Sequence, residues 1–234
     1  MSKSHIEKIK CPKCQNESEM MVWETMDTKT DPQLKAMIRN GEVFAWRCPH
    51  CDNKSLIFYP TLYHQVNDKY LLCYVPGNPT SAVEFMKNIN EDNESGYDFN
   101  ESYTKRVVSD INQLREKLMI LDEGLDDRIL EIMKVFAIAE LQKSFPDLNV
   151  MEIYFNKEED GSHSFAVKFD NDKWGRTNID KKSYDQVADS FKIPLAVNDE
   201  FLIDKSSSQS DNFSTYVSTT RQHSKLNIQP SEFP

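Results

Sequence analysis

The sequence predicts an α+β protein whose N-terminal part is a β-rich, zinc-ribbon-like module. Two observations predict the module. Cys11-Pro12-Lys13-Cys14 and Cys48-Pro49-His50-Cys51 repeat one pattern, C-P-x-C, and short aromatic and β-branched runs flank both pairs. A third observation predicts the rest: two amphipathic helical stripes precede a stretch of alternating apolar residues.

Around the knuckles, Met20-Met21-Val22-Trp23, Val43-Phe44-Ala45-Trp46, Ser55-Leu56-Ile57-Phe58-Tyr59 and Tyr70-Leu71-Leu72-Cys73-Tyr74-Val75 read as strands. Between the knuckles, Asp31-Pro32 followed by Leu34, Met37 and Ile38 reads as a short inserted helix that ends at Asn40-Gly41. The insertion accounts for the 33 residues between Cys14 and Cys48. Asn16 and Asn53 each stand two places past a knuckle. A residue near positive φ is expected there or just before, so the two turns look equivalent.

Ser81 and Glu84 suggest a capping box at a helix start. Residues 88–102 are polar and acidic and read as a linker. Ser109-Asp110 opens a helix with Ile111, Leu114, Leu118 and Leu121 on one stripe, and Gly124 ends it. Asp126-Asp127 caps a second helix carrying Ile129, Ile132, Met133, Phe136 and Leu141. A short turn between them predicts an antiparallel helical hairpin. Met151, Ile153 and Phe155 alternate, Asp160-Gly161 turns, and Phe165, Val167 and Phe169 alternate again. A helix with Tyr184, Val187, Ala188 and Phe191 follows. The layout predicted is a zinc-ribbon-like module over 1–90, a linker and helical hairpin over 91–146, a small α+β unit over 147–204, and a disordered tail over 205–234.

Four cysteines in two pairs supply the four sulfurs of a tetrahedral Zn²⁺ site, so Cys11, Cys14, Cys48 and Cys51 are the metal candidates, with one structural zinc per chain. A redox pair normally opens a helix, but Gln15-Asn16-Glu17-Ser18-Glu19 carries no apolar stripe. Four thiolates alone do not separate zinc from iron. Cys73, inside an apolar run, reads as a small buried hydrophobe. The unpaired cysteine count and the knuckle spacing fit a reducing cytoplasm.

The chain has 234 residues, of which 28% are charged, and a formal net charge of −10. Residues 1–90 hold 11 basic and 10 acidic side chains, and the rest hold 17 and 28. General nucleic-acid binding is therefore disfavoured, and only the first part is suited to approach phosphate. No apolar run is long enough to span a membrane, and Met1-Ser2-Lys3-Ser4-His5 has no apolar core of a secretory signal.

With the knuckles in view, the chain resembles the bacterial CpXC family. The resemblance covers roughly residues 5–135. It rests on Cys11-Pro12-x-Cys14, Cys48-Pro49-x-Cys51 and Tyr59-Pro60-Thr61-Leu62-Tyr63-His64, and on Leu114-Arg115-Glu116-Lys117 with Gly124-Leu125-Asp126-Asp127-Arg128. It implies metal binding and a cytoplasmic bacterial setting, and no reaction. Family members often carry Asp after the Leu-Tyr-His run, where this chain has Gln65.

Three further groups are weighed. His50 lies in the second knuckle and reads as exposed. His64 reads as a hydrogen-bonded structural histidine, with a ligand or contact role as the alternative. Asp122, Glu123, Asp126 and Asp127 gather at a helix turn, where carboxylates cap free N–H groups; Arg115 and Arg128 are available to pair with them. The chain has no P-loop, dinucleotide fingerprint, H-E-x-x-H or G-x-S-x-G. The reading is a non-enzymatic zinc-binding adaptor whose partner is another protein. The alternative is a nucleic-acid-associated factor using Trp23, Trp46, Lys13, Arg47 and Lys54. A hydrolase would require His64 and the acidic cluster to converge.

Overall fold

The computed structural model describes residues 1–90, 96–100, 102–196, 201–203 and 230–231. It is an α+β structure that divides into two compact units, Met1–Leu114 and Arg115–Pro234.

In the first unit, β1 (Lys3–Lys10) and β2 (Glu17–Asp27) form an antiparallel ribbon that turns through the first knuckle. The inserted helix is present as α1 (Leu34–Asn40), and Gly41 ends it with φ 75°, the left-handed conformation a helix stop favours. A second ribbon, β3 (Ala45–Arg47) with β4 (Lys54–Leu56), turns through the second knuckle. Then come β5 (Thr61–Gln65), β6 (Tyr70–Tyr74), α2 (Thr80–Lys87) and β7 (Thr104–Val108). The main sheet runs β1-β2-β5-β6-β7. Its two parallel pairings, β2 with β5 and β6 with β7, need crossovers. The first passes through α1 and the β3–β4 ribbon, and the second through α2.

Strand β6 is buried at every position, which is why Tyr70-Leu71-Leu72-Cys73-Tyr74 is apolar without alternation. Phe44 joins the small ribbon to this core: its ring lies 5.2 Å from Tyr59, 5.4 Å from Tyr74 and 5.6 Å from Phe58. That burial takes Val43 and Phe44 out of the predicted strand. They lie in a 3₁₀ turn, Glu42–Phe44, and the strand begins at Ala45.

Two other local expectations are corrected. The Ser81/Glu84 box does not form, because α2 starts at Thr80, whose N–H and hydroxyl both donate to Asn78 Oδ1 (3.0 and 2.7 Å). Strand β7 lies inside the predicted linker-and-hairpin region. Its sequence Thr-Lys-Arg-Val-Val reads as polar, yet Lys105 and Arg106 are buried by pairing with β6.

Helix α3 (Ile111–Asp122) contains the boundary between the units. Asp110 Oδ1 accepts the N–H groups of Asn112 and Gln113, and Gly124 closes the helix at φ 66°. In the second unit, α4 (Asp127–Ser144) is capped by Asp126. Then follow β8 (Val150–Lys157), β9 (His163–Phe169), β10 (Trp174–Ile179) and α5 (Lys181–Ala196). The strands are antiparallel, and β11 (Pro230–Ser231) pairs with β10 at the free edge. These two residues therefore depart from an unstructured tail; the other tail residues, 205–229 and 232–234, lie outside the described residues.

Ile129, Ile132, Met133 and Phe136 of α4 pack with Ile153, Phe155, Phe165, Val167 and Phe169 of the sheet and with Val187 and Phe191 of α5. Strict alternation puts Met151 in this core. A register shift between Val150 and Glu152 turns it out instead, to 54% exposure. Strand β10, which begins at the exposed Trp174, has no apolar alternation to announce it.

The second unit also buries charge. Lys134 Nζ lies 2.7 Å from Glu116 and 2.9 Å from Glu131. Lys117 Nζ lies 2.9 Å from Asp127 and 3.4 Å from Glu131. Glu116 also accepts the backbone N–H of Phe155, tying α3 to β8. All five charged side chains are buried. Burial, with the Glu131 carboxylate beside it, raises the Glu116 carboxyl above its ordinary range, and the Lys134 and Lys117 ammonium groups oppose the rise. Removing one partner strands a charge in a dry site. Lys134→Ala is expected to lower the stability of this unit by about 3–5 kcal/mol in chemical denaturation. A loss below about 1 kcal/mol, the scale of an exposed pair, would mean that the network does not hold the helices.

Candidate metal centre

The two knuckles are built alike. Each turns a ribbon, closed at its base by Lys10 opposite Glu17 in one case and Arg47 opposite Lys54 in the other. In the first, Cys11 N–H donates to Asn16 O (2.9 Å) and Gln15 N–H to Cys11 O (2.9 Å). In the second, Cys48 N–H donates to Asn53 O (2.9 Å) and Asp52 N–H to Cys48 O (3.0 Å). The left-handed residue is the one before each asparagine, Gln15 at φ 62° and Asp52 at φ 63°. Each asparagine contributes its backbone carbonyl. Asp52 is further held by Arg47, Nε to Oδ1 at 2.6 Å and Nη2 to Oδ2 at 2.5 Å.

These turns bring all four predicted cysteines together. Their sulfurs lie within 4.8 Å of one another, with Cys11 Sγ 3.6 Å from Cys51 Sγ and Cys14 Sγ 3.6 Å from Cys48 Sγ. A disulfide needs about 2.05 Å, so the sulfurs are not bonded. A tetrahedral ion with metal–sulfur bonds of about 2.3 Å sets sulfur–sulfur edges near 3.8 Å, close to what is observed. The arrangement therefore fits a metal ion in size, ligand number and ligand chemistry. Cys11 and Cys48 are buried, while Cys14 and Cys51 are half-buried.

The sulfurs do not share their protons equally. Burial raises the Cys11 thiol, but the N–H groups of Cys14 and Lys13, then the Cys51 and Cys48 sulfurs, bring it down to about 6. Cys51 receives the Asn53 N–H, yet burial and the other three sulfurs push it up to about 12. One sulfur releases its proton early and another holds it. A divalent cation removes that conflict by stabilising all four thiolates at once.

The other candidates do not converge into a metal or catalytic group. His50 is exposed. Asp126 caps α4 and is gripped by Arg128, whose Nε and Nη2 reach its carboxylate at 3.0 and 2.7 Å. Asp127 pairs with Lys117, and Glu123 with Lys157 (2.6 Å) and His163 (3.0 Å). Cys73 is buried, and burial pushes its thiol up to about 11, the state of an inert side chain. Among the described residues the four cysteines are the one group placed to hold a metal, and no helix is long and apolar enough to cross a membrane.

His64 meets partners that no local motif indicates. It lies in β5, paired in parallel register with Asp27 of β2. Its Nδ1 is 3.9 Å from Asp27 Oδ2 and its Nε2 is 3.0 Å from Tyr103 Oη. Gln65, the next residue of the strand, bridges Tyr63, Arg39 and Asp68. Burial holds the His64 imidazole below its ordinary 6.5, with Asp27 opposing and the Met1 ammonium adding to the shift.

Two ribbons whose tips meet at a cluster of four cysteine sulfurs define a ribbon module that could hold a metal ion. The model of the family described as CpXC protein matches residues 9–134, more than half of the chain, and the chain belongs to this family. No curated protein and no solved structure matches it.

If the four sulfurs act as one site, the purified protein carries about one equivalent of metal per chain, and Cys48→Ser loses it. Because such a site contributes folding free energy on the scale of about 10–16 kcal/mol, the variant should be destabilised by several kcal/mol. Metal should also dissociate as the solution is acidified, since protons compete for thiolate. Elemental analysis with denaturation of both proteins checks this, and a Cys48→Ser variant with undiminished metal would contradict it.

Proposed function

We propose that this protein is a cytoplasmic protein-interaction module whose metal is a structural zinc. The observation that carries the reading is the cluster of four cysteine sulfurs. As thiolates they would occupy every position of a tetrahedral ion and donate strong negative charge, which would leave neither an open site for substrate nor a strong Lewis acid. Zinc is favoured over iron on its preference for closed four-sulfur structural sites. Three acids of the α3–α4 turn, Asp126, Asp127 and Glu123, are paired with Arg128, Lys117 and Lys157.

A contact face supports the same reading. Ile6 of β1 and Met21 of β2 are cross-strand neighbours on the ribbon and are 53% and 49% exposed. Lys8 opposite Glu19 and Lys10 opposite Glu17 flank them with both signs of charge. An apolar centre with a mixed charged rim suits a protein surface more than a phosphate backbone. Nucleic acid is the less supported partner for two further reasons. Trp46 is only 5% exposed, so its ring is not offered to a base, and Arg47 is engaged by Asp52.

The test is recovery of the tagged protein from its native host after mild cross-linking, with the wild type beside Ile6→Glu/Met21→Glu. The expected result is a stoichiometric protein partner that the double variant loses while keeping its metal. Salt-resistant binding to single-stranded oligonucleotides would favour the nucleic-acid reading. Turnover on nuclease, phosphatase or peptidase substrates that Asp126→Ala/Asp127→Ala abolishes would overturn the non-enzymatic one.

A further inference from the structure

His64 stands in a polar row beneath an aromatic cover. Asp27, His64, Leu71 and Lys105 face one another in register across β2, β5, β6 and β7. Three rings from a single stretch of chain close on the imidazole. Tyr97 lies 4.8 Å from it at 88°, Phe99 5.3 Å at 80°, and Tyr103 5.5 Å at 51°. Phe99 also meets Tyr103 edge-on at 5.2 Å. The histidine is therefore the centre around which this stretch is seated, and Tyr103 Oη completes the contact with a hydrogen bond to Nε2.

We propose that Tyr97, Phe99 and Tyr103 form a clasp on the sheet of the first unit, latched by neutral His64 and released by acid. The other anchors of the same stretch are of different chemistry. Lys105 Nζ donates to Asn100 Oδ1 (3.0 Å), Asn90 Oδ1 accepts the Phe99 N–H (2.9 Å), and Asn90 Nδ2 donates to Asp98 (2.7 Å). Amides, an ammonium and a carboxylate do not ordinarily change charge between pH 5 and 7, whereas an imidazole does. The latch is thus the one contact of this set that mild acid addresses.

Among the described residues these charged and titratable groups face His64, with Lys105 of β7 in the same row beyond Leu71. From β2 comes the Asp27 carboxylate, on which the Met1 ammonium also lies at 3.1 Å. From the clasp come the phenols of Tyr97 and Tyr103, the latter pushed up by burial. From β6 comes apolar Leu71. Asp27 favours a proton on His64, but burial among aromatic rings opposes it more strongly. The sign follows from linkage. The closed form binds this proton more weakly than an open form with an ordinary imidazole, so acidification below about 6.5 favours opening. Between the ordinary value and the lowered one, the open population rises by up to about tenfold per pH unit. Opening uncovers the Asp27–His64–Lys105 row.

Hydrogen exchange of the full-length metal-bound protein tests this, with rates corrected for intrinsic pH dependence. The reporters are the Phe99 amide and the Thr104 amide, which donates to Lys69 O at 2.9 Å. The expected result is a loss of protection at both as pH falls from 7 to 5, with the β8–β9 hairpin unchanged. His64→Gln, which keeps a partner for Tyr103 but does not titrate, should abolish that pH dependence. The same pH dependence in His64→Gln, or none in the wild type, would overturn the proposal. If the variant does not retain its metal, an NMR titration of His64 in the wild type decides instead. A value at or above 6.5 is then the overturning result, and a value below it the supporting one.

Discussion

Four thiolates placed within 4.8 Å of one another are stable together only around a cation, and the first unit is arranged to bring them there. Neither ribbon could hold its shape alone. A two-stranded ribbon is marginal in water, and β3 and β4 have three residues each. A metal ion held there would tie the tip of one ribbon to the tip of the other, while Phe44 anchors the smaller ribbon through Tyr59 and Tyr74. Inserting α1 between the knuckles lengthens the loop the metal closes, a modest entropic cost because closure grows only logarithmically with length. The insertion also carries the chain across so that β5 can pair in parallel with β2. That pairing is what puts Asp27 beside His64.

How much of this could be read from the sequence depended on how local the cause was. The knuckles, α1 with its Gly41 stop, the Gly124 stop and the Asp160-Gly161 turn are set by residues within a few positions of one another. The metal ligands are legible for the same reason: two short motifs suffice to name them. What escaped has non-local causes. Lys105 and Arg106 lie in a buried strand because β6 offers an unpaired edge, not because their side chains favour burial. Met151 leaves the core through a register shift that an alternating pattern does not reveal. Asp27 and His64 are 37 positions apart and meet only through sheet order. The acidic residues at the α3–α4 turn looked like a cluster because they are adjacent in sequence. Asp127, Asp126 and Glu123 in fact face different cations: Lys117, Arg128 and Lys157.

The helical hairpin shows the same limit in another form. Its apolar stripe was visible in Leu114, Leu118, Ile129 and Ile132. The charged residues between them carry no local signal of burial. Glu116, Lys117, Asp127, Glu131 and Lys134 instead form a second, polar seam. Such a seam adds little net stability compared with an apolar one, but it is demanding about register. Sliding one helix by a single residue breaks several pairs at once. It also reaches the sheet through Glu116 and the Phe155 N–H, so the helix register and the strand position are set together.

The two units thus bury ionisable groups by different means. At the knuckles a bound cation would neutralise four sulfurs. In the hairpin, lysines neutralise carboxylates. The hairpin pairs are insensitive to modest changes in pH: the Lys134 ammonium is held charged by Glu131 and Glu116. His64 is accommodated differently, by remaining uncharged among aromatic rings. Neutrality is the least secure of the three, because a single proton reverses it and, among the described residues, the carboxylate paired with His64 is Asp27 at 3.9 Å. A fold that compensates its other buried charges so fully has no structural need for an imidazole at this position. An apolar side chain of similar size would fill the aromatic box with less desolvation. That asymmetry makes His64, in addition to the metal centre, a point of the first unit where sensitivity to solution conditions is concentrated.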